Sequence, residues 1–479
     1  MTAPSRELPK DRLATTDPEG RRIYLYPADV KGFFRKLRDL SQGALIVVFL
    51  LVPWVKIHGA PLLRLDVANR RFTLFGTTFW GHEAPLLLFL LLGAGLLLFL
   101  VTAIFGRAWC GWACPQTVFI DGVYRRIERW LEGDAVTRKR RDAGPVNTHY
   151  LLIKTAKWAI FGVLSIFIGN SFLAYFVGID ELLRIVTLPP AENWASFLVM
   201  AGISGLTLFD FGWFREQFCI IACPYGRFQS VLLDDSSAVV AYDQKRGEPR
   251  RGTVAPASTA IGDCVDCFRC VQVCPTGVDI RRGVQLECIH CTACIDACDD
   301  VMTRIGKPKG LIRYATPLLA RGEGDEQKKW RPQLSIRAAI YALALSGVTG
   351  GLSYAILHRT LFEVTLTRAI ETPYQQLPGG RVTNHFKIDL RNLSTSEGRV
   401  RLQLAEPLER QGIKLVFVNA PPSIAPGKEH RGDLFVEFPK TILQTGHGKL
   451  EIRALVLDAA DHPIIEPRLI SAPLVGPYR

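Results

Sequence analysis

Apolar residues of this chain fall into five long blocks separated by polar and basic stretches. Each block approaches the ~20 residues that a helix needs to cross a bilayer. The blocks predict membrane-spanning helices over 40–57, 84–105, 150–177, 194–213 and 338–357. The alternative is that they form buried core helices. It competes most strongly for the first block, which is short and ends in Pro53 and Trp54.

The last part of the chain has a different pattern, in which apolar and polar residues alternate. Phe386, Ile388 and Leu390 form one such run, and turn signals such as Pro378-Gly379-Gly380 and Pro426-Gly427 separate it from others. Alternation with period two between turns is typical of strands with one buried face. Several short strands predict a β-sandwich. It offers no catalytic constellation, so we expect a docking or structural module.

Basic residues are unevenly divided among the stretches between the blocks. Residues 1–40 carry nine Lys and Arg and residues 106–149 carry eight, whereas residues 58–83 carry three and residues 178–193 carry one. Cytoplasmic flanks of spanning helices are enriched in Lys and Arg. The counts therefore predict a cytoplasmic N-terminus. With five spans, the stretch before the last span is also cytoplasmic, and the C-terminal region is periplasmic.

Composition limits the classes of partner. The formal net charge of +13 would suggest nucleic acid for a soluble protein, but apolar blocks break up the basic residues and 48% of the chain is hydrophobic. We therefore expect membrane lipid and no nucleic acid. Residues 1–38 are polar and basic, without the early apolar stretch of a signal peptide.

The cysteines are concentrated in one part of the chain. All 12 lie between Cys110 and Cys298. A secreted disulfide scaffold would distribute them through its exported parts, so this clustering indicates metal ligation in a reducing compartment.

Eight cysteines form two runs with the same 2-2-3 spacing, of which the first ends in Cys274-Pro275. This spacing is typical of bacterial ferredoxins with two [4Fe–4S] clusters, in which the fourth ligand of each cluster comes from the other run. The first predicted cluster has Cys264, Cys267, Cys270 and Cys298; the second has Cys288, Cys291, Cys294 and Cys274. The alternative is a pair of structural zinc sites, which usually consist of CxxC pairs separated by a longer loop. Asp299 replaces the usual proline after the second run; we expect a looser turn there and no lost ligand.

The other four cysteines form two CxxxCP motifs, Cys110 to Pro115 and Cys219 to Pro224, each just after an apolar block. On a helix, residues i and i+4 share one face, so each motif would present two soft ligands side by side. Together they predict a four-thiolate metal site for Cu(I), zinc or a further iron–sulfur cluster. The alternative is that small buried residues let the spans pack closely. Because positive charge lowers thiol pKa, Arg107, Arg215 and Arg227 predict thiolates.

At these residues the chain resembles a known family. The resemblance rests on both cysteine runs and on the segments Gly106 to Phe119, Arg215 to Ser230, Ala241 to Arg250 and Gly306 to Tyr314. They resemble the CcoG family, also called FixG or RdxA, which are accessory proteins of cbb3-type cytochrome c oxidase. The resemblance is dense from Tyr24 to Tyr314; beyond it rests on the fifth span and an immunoglobulin-like tail.

The resemblance implies a location in the bacterial inner membrane and a role in oxidase assembly. The implied activity is reduction of Cu(II) to Cu(I), with oxidase assembly factors or copper chaperones as partners. It also implies copper, with the CxxxCP cysteines as its ligands. The residues do not show copper by themselves, since the sequence has three Met and no Met-rich stretch. The same layout resembles membrane subunits that pass electrons from quinol to periplasmic reductases.

Three functions remain open from the sequence: a cupric reductase, an electron relay from quinol or a cytoplasmic donor to a partner reductase, and a redox-sensing assembly scaffold. No GxGxxG fingerprint of a dinucleotide site is present, so the electron donor is another protein, a quinol or a small reductant. The predicted organisation is a cytoplasmic segment over 1–39, four spanning helices with both CxxxCP motifs over 40–213, a cytoplasmic two-cluster ferredoxin-like α+β domain over 214–334, a fifth spanning helix over 335–358 and a periplasmic immunoglobulin-like β-sandwich over 359–479.

Overall fold

The fold is that of a computed structural model, which describes residues 15–17, 19, 21–57, 59–80, 83–250, 261–320, 335–359, 361–369, 373–394, 397–404, 411–418, 423–443, 446–457, 462–463 and 467–477. Much of the predicted N-terminal segment over 1–39 lies outside the described residues. The chain divides into two compact units. The first consists of Met1–Asn69, Thr73–Gly76 and Leu87–Gly351, and the second of Arg70–Phe72, Thr77–Leu86 and Leu352–Arg479.

Helices dominate the part of the chain before residue 358. They are α1 (Phe33–Leu51), α2 (Ala84–Phe105), α3 (Ala108–Trp112), α4 (Pro115–Phe119), α5 (Arg125–Glu132), α6 (Ala135–Ala143), α7 (Thr148–Val177), α8 (Ile179–Thr187), α9 (Trp194–Thr207), α10 (Pro224–Leu232), α11 (Gln244–Gly247), α12 (Arg269–Gln272), α13 (Ala293–Arg304), α14 (Pro317–Ala320) and α15 (Ile336–Leu357). Wider π-helical turns occupy Ile120–Tyr124, Leu208–Phe214 and Phe218–Ala222, and 3₁₀ turns occupy Val52–Trp54, Ile280–Arg282 and Lys440–Ile442.

Strands are short before residue 358 and longer after it. They are β1 (Lys56–Ile57), β2 (Ala60–Pro61), β3 (Leu63–Asp66), β4 (Arg71–Leu74), β5 (Thr77–Trp80), β6 (Val239–Tyr242), β7 (Ile312–Ala315), β8 (Phe362–Arg368), β9 (Gln375–Leu377), β10 (Arg381–Asn392), β11 (Arg399–Leu404), β12 (Lys414–Val418), β13 (Glu429–Pro439), β14 (His447–Leu457) and β15 (Arg468–Val475).

Five helical segments in the described part of the chain are long and apolar enough to cross a membrane. They are Phe33–Trp54, Pro85–Phe105, Thr148–Val177, Trp194–Phe214 and Ile336–Leu357. The five predicted blocks therefore become five helices.

The first helix begins earlier than the apolar pattern predicted, at Phe33 instead of residue 40. Its added turns carry four charged residues among residues 33–39, and the backbone N–H groups of Phe34 and Arg35 donate to the carboxylate of Asp296 in α13 at 3.2 and 2.7 Å. A carboxylate at a helix N-terminus satisfies amides that have no partner within the helix. Arg38 lies one turn further and pairs with Asp121 at 2.9 Å. The helix therefore extends into the ferredoxin-like region, where long-range partners stabilise its polar end.

Two of the apolar helices pack closely through small residues. A Cβ atom added at Gly169 in α7 would lie 3.2 Å from the Cα atom of Ser204 in α9. Such close backbone approach is typical of helix pairs in membranes, where van der Waals packing replaces the hydrophobic effect. The contact joins the third and fourth apolar segments.

The ferredoxin-like region is a small α+β structure. Strands β6 and β7 pair antiparallel with Val239 opposite Ala315, and the cysteine runs lie between them in the chain, with α12 and α13. The prediction of a loosened turn at Asp299 is wrong. Asp299 lies inside α13, where a proline would remove a helical hydrogen bond, and its carboxylate accepts from the Gly310 amide at 2.8 Å.

The strands of the second unit that follow residue 358 form two sheets. One has the order β12-β13-β10-β8 with β9 also paired to β10, and the other has the order β11-β14-β15. Strand β10 faces β13 with Phe386 opposite Leu434. The predicted alternation is confirmed, since Phe386, Ile388 and Leu390 are at most 1% exposed.

Candidate iron–sulfur sites and a cluster of four thiols

The two cysteine runs line two neighbouring cavities. The first cavity is lined by Cys264, Cys267, Cys270 and Cys298, together with Tyr242, Phe268 and Arg281. The second cavity is lined by Cys274, Cys288, Cys291 and Cys294, together with Val240, Thr276 and Ile289, and Cys270 also reaches it. Each cavity thus combines three thiols of one run with the last thiol of the other, which is the arrangement that the cross-run ligation predicts.

The backbone of the two runs is alike. Asp266 and Phe268 have φ of 53° and 57°, and His290 and Thr292 at the equivalent positions have φ of 53° and 63°. Non-glycine residues rarely adopt this left-handed conformation, and they do so where the surroundings impose it. It wraps three cysteines at short spacing around one cavity in each run.

The chemistry of these donors fits a group with four thiolate ligands. Burial raises the pKa of Cys270 and Cys288 to about 12 and that of Cys274 to about 11. Bound metal deprotonates such thiols outright. Four thiols around one cavity match the four-cysteine ligand set of a [4Fe–4S] cluster.

The CxxxCP cysteines do not share one helical face, so that prediction is wrong. Cys110 lies in α3 and Cys219 in a π-helical turn, whereas Cys114 and Cys223 are extended, with ψ of 127° and 110°. A residue before proline is sterically disfavoured in the helical region. The helix therefore breaks at the second cysteine of each motif, and α4 and α10 start at the proline.

The two motifs nevertheless lie next to each other, since the Cys110 thiol donates to Gln229 in α10 at 3.1 Å. Burial raises the pKa of Cys219, and the nearby thiols of Cys114, Cys110 and Cys223 raise it further. Burial likewise raises the pKa of Cys110 to about 11, with added contributions from Cys114 and Cys223, although Arg107 lowers it. We call these four residues the four-thiol site. Among the described residues, these four included, no three His, Cys, Asp or Glu side chains are grouped as closely as the ligands of one bound ion.

The prediction that arginines make these groups thiolates fails for Cys110, Cys114 and Cys219, since burial raises the pKa of each thiol. Arg107 does lower the pKa of Cys110, but burial outweighs it. Arg215 is occupied elsewhere, in a bidentate pair with Glu128. The side chain of Arg227 lies outside the described residues.

Sequence reasoning missed a buried ionic cluster that joins the chain segments of the two CxxxCP motifs. Glu128 is 1% exposed and accepts hydrogen bonds from Arg215, Arg138 and Tyr24 at 2.8 to 3.1 Å. Arg215 precedes the second CxxxCP motif, and Glu128 follows the first. The pair therefore links the chain segments that carry the two motifs. Glu128 is one acid in a basic loop, and nothing in its neighbours along the chain marks it as buried.

Comparison with known proteins identifies the family. Residues 214–317 match a 4Fe–4S dicluster domain, residues 86–133 match a 4Fe–4S binding domain, and residues 352–467 match the immunoglobulin-like fold at the C-terminus of FixG. Protein RdxA of Cereibacter sphaeroides is 38% identical over 392 residues, which are 80% of this chain and 82% of the relative. The chain belongs to the FixG/RdxA family.

Two other FixG/RdxA relatives agree. Protein RdxB of Cereibacter sphaeroides is 37% identical over 408 residues, 82% of each chain, and the nitrogen fixation protein FixG of Rhizobium meliloti is 34% identical over 419 residues, 80% of this chain and 79% of the relative. This FixG/RdxA chain is therefore a membrane iron–sulfur protein with a redox role in electron transfer, and its C-terminal part has an immunoglobulin-like fold.

Proposed function

We propose that this FixG/RdxA protein reduces Cu(II) to Cu(I) at the four-thiol site and thereby serves assembly of a cbb3-type cytochrome c oxidase. Each Cu(II) takes up one electron. Two [4Fe–4S] clusters, with the cross-run ligands named above, would supply one-electron chemistry that matches this couple. The observation that supports the proposal best is that the two CxxxCP motifs pack together, since the Cys110 thiol of the first donates at 3.1 Å to Gln229 in the helix that follows the second.

The four-thiol site has the donor set that Cu(I) prefers. Sulfur ligands are soft, and a site that binds Cu(I) more tightly than Cu(II) favours reduction of the bound ion. The Cys110 thiol donates to the side-chain oxygen of Gln229 at 3.1 Å, and Cys114 accepts from the amides of Gln116 and Thr117. These contacts hold both sulfur atoms of the first motif in place, with the second motif beside them.

The proposed location is the bacterial inner membrane, crossed five times. The N-terminus and the ferredoxin-like region would be cytoplasmic, and the immunoglobulin-like region periplasmic. The basic-residue counts support this orientation. In this arrangement a cytoplasmic donor or a quinol supplies electrons, while oxidase assembly factors or copper chaperones receive Cu(I).

One observation favours a second candidate, an electron relay to a partner reductase. Cys110 and Cys114 lie within residues 86–133, which match a 4Fe–4S binding domain. In this alternative the four-thiol site holds a third cluster and no copper. The protein would then pass electrons on without a substrate of its own.

Metal content and copper reduction, measured on the same anaerobic preparations, separate these candidates. The wild type should contain about eight iron atoms per chain, four for each [4Fe–4S] cluster. Cys110→Ser and Cys219→Ser should retain this iron and lose Cu(II) reduction, followed with a Cu(I) chelator after reduction and removal of dithionite. Cys267→Ser, a change of the same kind in the first cavity, should instead lower the iron content.

Each contrary outcome has a distinct meaning. A wild-type iron content above about eight that falls in Cys110→Ser supports the relay. Serine variants that reduce copper at the wild-type rate make the CxxxCP cysteines packing residues, which removes the basis of the proposal.

A further inference from the structure

The first CxxxCP motif lies directly against the loop of the second cavity. A Cβ atom added at Gly111 would lie 2.5 Å from the carbonyl oxygen of Ile289 and 2.9 Å from the backbone nitrogen and Cα of Cys291. Real Cβ atoms do not approach so closely, and backbone atoms cannot move aside cheaply. The Cys110 side chain packs into the same buried cluster as Ile289 and Cys291. Glycine is therefore required for this contact.

Arg107 holds the same two parts together and is 4% exposed. Its backbone amide donates to Nδ1 of His290 at 3.1 Å, and its guanidinium donates to the carbonyl of Leu286. Its Nε donates to Gln229 at 3.0 Å, the residue that also accepts from the Cys110 thiol. Arg107 thus contacts the second cysteine run through its backbone, and through its side chain it contacts Leu286 just before that run and helix α10 of the second CxxxCP motif.

The equivalent loop of the first cavity faces a different environment. Asp266, the counterpart of His290, has a side chain 36% exposed and pairs with Arg281, whereas His290 is 2% exposed. Cys267 is exposed, whereas its counterpart Cys291 is 7% exposed. The two runs share a backbone conformation, so this difference comes from what packs against the second one, of which the segment that carries Arg107 and Gly111 is a part.

We propose that Arg107 and Gly111 are positioning residues that couple the four-thiol site to the second cavity and not to the first. The first cavity, with exposed Cys267, is then the one that meets an external electron donor. This coupling extends the proposed function, and the direction of electron flow in it rests on that function. The contact itself does not depend on copper.

A copper-free experiment tests the contact. Two variants, His290→Asn and Asp266→Asn, place the same residue at equivalent positions, and asparagine tolerates positive φ. In dithionite-reduced full-length protein, each should alter a different part of the cluster EPR spectrum. Gly111→Ala should alter the part that His290→Asn alters. Arg107→Lys, which keeps the charge and loses the two-pronged geometry, should do the same if Gly111→Ala fails to fold. Iron and sulfide content identifies a variant that has merely lost its clusters.

Single-turnover kinetics test the coupling. Protein is reduced, freed of reductant and mixed with Cu(II), so that each copper ion takes one electron already stored in the protein. Gly111→Ala should slow the fast phase on the order of tenfold, since a displacement of about 1 Å can cost up to about 10²-fold where geometry sets a rate. Asp266→Asn should leave this phase unchanged.

Two results would overturn the inference. One is a Gly111→Ala spectrum changed in the part that Asp266→Asn alters, or unchanged throughout. The other is equal slowing by Asp266→Asn and His290→Asn. A wild-type protein that reduces no Cu(II) would instead refute the proposed function, and the EPR comparison would still decide the contact.

Discussion

Replacing Glu128 by glutamine tests whether the buried ionic cluster holds the CxxxCP segments together. Glu128 lies in α5 and receives two hydrogen bonds from Arg215, at 2.8 and 3.0 Å. Arg138 donates to it at 2.9 Å, and the Lys157 ammonium lies 3.4 Å away. Glutamine has the same size and no charge. In the variant, Arg215, Arg138 and Lys157 therefore keep their positive charges in a site removed from water, with one negative charge fewer to balance them.

The expected loss of stability is large. Removing one partner of a buried ion pair costs about 3–5 kcal/mol, because the remaining charge is left uncompensated. A loss of 1 kcal/mol lowers the unfolding midpoint by roughly 1–2 °C in a unit of more than 300 residues, so the expected fall is about 3–10 °C. Removing Arg215 as well should cost less than the sum of the single changes, by roughly 1–3 kcal/mol of coupling.

Thermal unfolding of the full chain in detergent, followed by tryptophan fluorescence, measures this effect. Glu181→Gln is the matched control, since Glu181 is 49% exposed and lies 3.7 Å from Arg184. Exposed pairs of this kind contribute about 0–1 kcal/mol. A Glu128→Gln midpoint no lower than that of the control, or strict additivity with an Arg215 variant, would refute the reasoning.

Three further predictions concern pH, the C-terminal domain and orientation. Burial raises the pKa of Glu128 and of Asp121, but Arg215 lowers the first and Arg38 the second, and the net pKa of each carboxyl is lowered. Both carboxylates therefore stabilise the fold at pH values above their ordinary pKa values of 4.5 and 3.8. Their contribution is lost as the pH falls below those values, and unfolding midpoints measured in acid should fall less steeply in Glu128→Gln. Phe386→Ala should lower the free energy of unfolding of the immunoglobulin-like domain by about 3–5 kcal/mol, because it opens a cavity in the sandwich, and denaturant unfolding measures this loss. A chain ended after Arg359 should keep its cluster absorbance. Loss of that absorbance would mean that the domain is structural for the whole chain. Phosphatase fusions should be active after Arg479 and inactive after Arg141 and Tyr314, and an active Tyr314 fusion would reverse the proposed orientation.

Local patterns in the sequence account for most of the architecture. Each apolar block is long enough to span a bilayer, where a helix satisfies its own backbone hydrogen bonds, and all five blocks form helices. Strand alternation placed Phe386 and Ile388 in the sandwich because neighbouring residues on a strand point to opposite faces. The 2-2-3 spacing likewise indicated which cysteines would share a cavity, since short gaps bring three sulfur atoms to one centre.

The predictions from the sequence that proved wrong have two kinds of cause. The break at Cys114 and Cys223 carried a local signal, because each precedes a proline, and that signal outweighs the i to i+4 spacing. The early start of α1 had no local signal, since Asp296 lies more than 250 residues away from the amides that it caps. Thiol pKa values depend on burial, which arginines nearby in sequence do not reveal.

The two cysteine runs show what a local sequence pattern does not determine. Their ligand spacing and left-handed residues are equivalent, so each run specifies the same loop. Cys267 is nevertheless exposed and Cys291 is buried, and Gly111 and Arg107, about 180 residues earlier in the chain, pack on the loop that carries Cys291. A run can therefore specify how its cysteines surround a cluster, but not what that cluster faces. What each cluster faces is a tertiary property, and a glycine too close to the backbone of Ile289 and Cys291 to accept a Cβ atom contributes to it.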